Sequence, residues 1–74
     1  MPKPVSRREL IRRLRQLGFD GPFPGGRHEA MRHLFSGLKV PVPNPHSGDI
    51  DWSLTKRLIA QAGITRQQWD QAGK

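Results

Sequence analysis

Apolar residues follow two different rhythms along this chain, and the change from one to the other divides it into parts. From Ser6 to Leu17, the residues Leu10, Ile11, Leu14 and Leu17 recur at three- and four-residue intervals, which places them on one face of a helix turning 100° per residue. Its start is marked twice: Ser6 and Glu9 have capping-box spacing, and Val5 and Leu10 have that of a hydrophobic staple. Gly18 is the natural stop. Arg8, Arg12 and Arg15 gather on one flank, so this helix is predicted to pack one side and present arginines on another.

After Gly18 the rhythm shortens. Phe19 to Gly26 alternates poorly and is interrupted by Gly21, Pro22, Pro24, Gly25 and Gly26, so a strand there is short, bent or at a sheet edge. His28 to Leu34 suits either helix or strand, but the Gly-Gly start, the Ser36-Gly37 turn signal and the valines that follow favour a hairpin. In Leu38 to Val42, Val40 and Val42 share a face, and Pro41, which lacks an N–H, is predicted to point away from the ladder. Pro43 to Gly48 reads as a polar loop around His46.

The helical rhythm returns from Asp51 to Ala62, capped by Asp49 or Asp51, with Leu54, Leu58, Ile59 and Ala62 predicted inward and Gly63 as the stop. Thr65 with Gln68, and Ile64 with Trp69, repeat the capping box and staple. They predict a short last helix over Thr65 to Gln71 with frayed final residues. The order helix, three strands, helix, short helix predicts an α+β two-layer fold, an antiparallel three-stranded sheet covered by helices on one face. That architecture is similar to a double-stranded RNA-binding domain.

Seventy-four residues support one core, so residues 1–74 read as a single domain with a tail over 1–5. There is no cysteine, which removes disulfides and thiolate metal sites. No signal-like apolar region opens the chain and no apolar run approaches the length of a membrane span, so a cytoplasmic protein away from membranes is expected. Thirteen Lys and Arg against six Asp and Glu give a net charge of +7. Such a field calls for a polyanion partner: nucleic acid first, an acidic protein second, an anionic membrane third.

No Ser-His-Asp order, phosphate-cradling P-loop or metal-ligand spacing is present, so no metal or cofactor is expected and acid-base chemistry by histidine is what the residues offer. His28 follows Gly25, Gly26 and Arg27, where backbone and guanidinium can approach a phosphate. On spacing alone it reads more readily as an exposed histidine at a strand start. His33, five residues on, falls on the opposite strand face and reads as structural. His46 is either a turn residue or a phosphate contact. The arginines of the first helix are a solvated face or an RNA contact, and Lys39, Lys56 and Arg57 extend the basic set. Trp52 and Trp69 read as core and staple residues before base-stacking ones.

Several pieces in order resemble the HicA toxin family, partners of HicB antitoxins. These are Leu17-Gly18-Phe19 ending the first helix, Gly26-Arg27-His28 with His33 beyond it, Val40-Pro41-Val42-Pro43, His46-Ser47-Gly48-Asp49-Ile50, and Leu58 through Thr65 with its Gln-Ala-Gly-Ile-Thr ending. The resemblance implies a metal-independent ribonuclease acting on messenger RNA and silenced by an antitoxin. It makes His28 the catalytic residue, a general base on a ribose 2′-hydroxyl, with Arg8, Arg12, Arg15, Gly26, Arg27, Lys39 and His46 as RNA-binding candidates. Family members usually carry a small or amide residue where Arg27 stands. That arginine either assists phosphate binding or depresses the imidazole pKa by like charge. A non-catalytic RNA-binding module, or a basic surface that docks an acidic protein, are the other readings.

Overall fold

The Ser6 hydroxyl accepts the Glu9 amide at 3.0 Å and opens the first helix, α1, over Arg7–Gln16. The computed structural model describes residues 4–24, 29–44 and 48–73. Strands β1 (Phe19–Phe23), β2 (Glu29–His33) and β3 (Lys39–Val42) follow, then helices α2 (Trp52–Gln61) and α3 (Arg66–Ala72). The sheet is antiparallel in the order β1-β2-β3, so the predicted α+β arrangement and its element order are what the chain adopts.

The central strand β2 pairs Met31 with Val40 and Arg32 with Lys39 on one side, and Phe19 with His33 and Asp20 with Arg32 on the other. Between Asp20 and Phe23 the β1 register shifts, at the Gly-Pro interruption predicted to bend this strand. His33 donates to the Leu38 carbonyl at 2.8 Å, and the two-residue alternation of an antiparallel ladder then turns Pro41 outward from the β3 edge. Its missing N–H costs the sheet nothing there.

One face of the sheet carries Phe19, Met31, Val40 and Val42 into a core shared with Leu10, Leu14, Leu58, Ile59, Ala62 and Trp69. The other face carries Asp20, Arg32, Lys39 and Pro41, all exposed, and no helix among the described residues covers it. α1 lies on β1, and α2 on β3. Val5, placed by the sequence at the end of a tail, is in the core and exchanges both backbone hydrogen bonds with Ile50, at 3.0 and 2.7 Å.

Three details differ from expectation. Glu9 does not return the Ser6 cap; its carboxylate takes Arg12 and Arg13 instead, a charged alternative stronger than a backbone amide. Asp51, one of the two predicted caps, caps α2 through Leu54 N–H at 2.8 Å, and, contrary to expectation, Leu54 is exposed while Thr55, Leu58, Ile59 and Ala62 point inward. The Thr55 hydroxyl, fully buried, is satisfied by the Asp51 carbonyl. The last helix runs on to Ala72, which is buried, because a complete Thr65–Gln68 capping box and Trp69 in the core hold it down.

Candidate nucleic-acid interface

Of the residues singled out for RNA chemistry, His28, Gly26, Arg27 and His46 lie outside the described residues. Arg8, Arg12, Arg15 and Lys39 are described, and all four are exposed. Their side chains are not equally available.

Arg12 lies bidentate on Glu9, at 2.9 and 2.7 Å, and Arg13 reaches the same carboxylate at 2.8 Å. These hydrogen bonds, Arg12 first, hold the Glu9 carboxyl down at about 2 against an ordinary 4.5. Arg13 also stacks 4.6 Å over Trp69, so it belongs to the α1–α3 junction. Arg15 donates twice to the Gly21 carbonyl, at 3.2 and 2.9 Å, and so braces β1 where its pairing is interrupted. Arg7 pairs with Glu29, joining the first turn of α1 to the first residue of β2. Among the described residues, Arg8, Arg32, Lys39, Lys56 and Arg57 make no ion pair.

Lys39 does not join the α1 arginines. It projects from the helix-free face of the sheet, at the edge opposite β1, beside its cross-strand partner Arg32. Arg32 in turn lies over the Phe23 ring, 5.9 Å from its centroid. Neither Arg32 nor the Arg7–Glu29 pair was among the sequence candidates. Arg32 had a signal, since it alternates with the inward Met31 and must therefore point out. The Arg7–Glu29 pair had none, because 22 residues separate its members.

His33 takes a structural place. Its Nδ1 accepts the Phe35 and Ser36 amides at 3.2 and 3.1 Å, and its ring meets Phe19 edge-on at 5.0 Å. Gly18, at φ +95°, keeps the space beside it open, since a Cβ there would sit 3.2 Å from His33 Nε2. Trp69 is core, and Trp52 is half-buried under Arg66 at 4.6 Å. Among the described residues no cluster of three His, Asp or Glu side chains could hold a metal ion, and no helix is long and apolar enough to cross a membrane.

The chain is thus a small basic α+β domain with a half-open charged sheet face and an arginine-rich first helix. The family model of the HicA toxin of bacterial toxin-antitoxin systems matches residues 7–64, from the first residue of α1 past the end of α2, and the chain belongs to that family. No curated protein matches it.

Proposed function

We propose that this toxin is a metal-independent endoribonuclease of messenger RNA in which His28 acts as general base, and that a HicB-type antitoxin silences it. The family match across residues 7–64 carries this reading, because it spans the glycine-histidine segment and both flanking layers. Supporting it, the chain passes from His28 directly into Glu29, the first residue of the central strand, and Arg7 of α1 ties that strand end down.

In the reaction, the His28 imidazole takes the proton of a ribose 2′-hydroxyl, and the 2′-oxygen attacks the adjacent phosphorus. The bond to the 5′-oxygen breaks, that oxygen leaves with a proton from water or from His46, and a 2′,3′-cyclic phosphate remains. Arg27, next to His28 in the chain, offsets the charge that builds on the phosphorane. DNA lacks the attacking group and is not cut.

The test is cleavage of single-stranded RNA by the purified protein in EDTA, with end analysis, beside His28→Ala. Cyclic phosphate ends from the wild type and intact RNA from the variant are expected. Surviving RNA with the wild type, or equal cutting by the variant, overturns the mechanism.

A further inference from the structure

Among the described residues five large hydrophobic side chains are exposed, and three of them, Leu34, Phe35 and Leu38, fall within five positions at the turn joining β2 to β3. Phe35 is 93% exposed and Leu34 66%. Single exposed hydrophobes are ordinary on a protein surface, whereas a cluster marks a contact site.

The turn that carries them is tightly fixed. Every backbone N–H from His33 to Leu38 has an acceptor. His33 donates to Leu38 O (2.8 Å), Leu34 to Gly18 O (3.0 Å), and Phe35 and Ser36 to His33 Nδ1. Gly37 donates to His33 O (3.0 Å), and Leu38 to Ser36 Oγ (3.3 Å). A turn fixed this completely presents Phe35 on a backbone already ordered before any partner arrives, which favours an aromatic anchor.

We infer that the Leu34-Phe35-Leu38 tip is the anchor by which the antitoxin grips this toxin, seated in an apolar pocket of the antitoxin rimmed by carboxylates. The inference rests on the toxin-antitoxin reading above and adds where the grip falls. The charge argument is local: Arg32 and Lys39, cross-strand partners just behind the tip, make no ion pair among the described residues and call for acidic groups on whatever covers it. A second copy of a +7 chain would bring the same cations face to face. RNA would find little use for Leu34 and Leu38, which have no face on which to stack a base.

The tip is also remote from the proposed chemistry. It begins at the far end of β2 from Glu29, roughly 13 Å along the strand direction at about 3.3 Å per residue. Antitoxin affinity and RNA cleavage therefore separate by mutation.

The test uses the full chain and a purified HicB-type antitoxin as the probe. The double variant L34S/F35S is compared with wild type for probe affinity, cleavage of RNA by the free toxin, and sedimentation. Loss of probe affinity by about 30-fold or more, the range of a hot-spot residue, with cleavage by the free toxin unchanged, is expected. Probe affinity within threefold of wild type, or a wild type that fails to bind the probe, overturns the inference. So does a fall in RNA binding with probe affinity retained, or a wild-type dimer that the variant dissociates. Circular dichroism confirms that the variant is folded, and F35S alone serves if the double variant is not. Intact RNA with the wild-type protein would refute the nuclease reading while leaving the affinity comparison to decide the tip.

Discussion

The three α1 arginines that look alike in sequence are predicted to behave differently toward RNA. Arg8→Ala, Arg12→Ala and Arg15→Ala, made singly in a His28→Ala background so that labelled RNA survives, separate the roles the structure gives them. Each phosphate contact to a single strand adds about 0.7 to the slope of log affinity against log salt, so losing one costs about 2.6-fold less binding at 50 mM relative to 200 mM. Arg8, exposed and without an ion pair among the described residues, should show that full change. Arg12, held bidentate by Glu9, should show less than half of it. Arg15, which spends its guanidinium on the Gly21 carbonyl, should leave the slope nearly unchanged and instead lower stability by about 1 kcal/mol, the net worth of such hydrogen bonds.

Fluorescence anisotropy across a salt series measures the slopes, and urea unfolding measures the stability. Glu9→Gln belongs in the same series, because releasing Arg12 should steepen the slope by up to about 0.7. A flat response to Arg8→Ala together with a full loss for Arg15→Ala would mean that intramolecular hydrogen bonding does not decide which arginines reach RNA.

Two further predictions concern the fold. The Glu9 carboxyl is held at about 2, below its ordinary 4.5, so its contribution to stability is complete above pH 4.5 and is lost as the pH falls toward 2. Thermal unfolding of wild type and Glu9→Gln followed by circular dichroism should therefore converge across that window, and a constant gap down to pH 2 would contradict the assignment. His33→Ala removes the acceptor of two turn amides and the edge contact with Phe19, and should cost about 2 kcal/mol in urea unfolding. It should also weaken antitoxin binding by loosening the turn under Phe35, and unaltered stability would show that Nδ1 does not hold that turn.

What could be read from the sequence was what neighbours in the chain decide. The caps at Ser6, Asp51 and Thr65 are local hydrogen bonds between residues three apart, and they fall where the residue types put them. The hairpin was legible because Ser36-Gly37 supplies the turn and Val40 and Val42 supply the inner face. Leu54 was misread because Leu was weighed above Thr at neighbouring positions. The register of α2 was set by Asp51, and Thr55 could go inside because its hydroxyl bonds the carbonyl four residues back. Glu9 was misread for the opposite reason: the capping box is a local pattern, and two arginines one turn on outbid it. The exposed Phe35 was out of reach, since nothing in a sequence distinguishes an apolar residue that turns inward from one fixed outward by its neighbours' amides.

The arginines change meaning once their partners are known. Arg7, Arg12, Arg13 and Arg66 end on carboxylates, and among the described residues the Arg7–Glu29 pair is the one that joins two elements. Pairing inside the molecule leaves the net charge at +7, so the long-range attraction for a polyanion is the same whichever pairs form. What pairing alters is where that polyanion finds uncompensated charge at close range. The helix α1 offers Arg8 for that purpose, while the sheet offers Arg32 and Lys39 side by side on a face that no helix covers. Under the nuclease proposal, the whole field would provide capture and the open cations would provide the hold. The weight that sequence placed on the first helix therefore shifts toward the strands, whose central member begins one residue after His28.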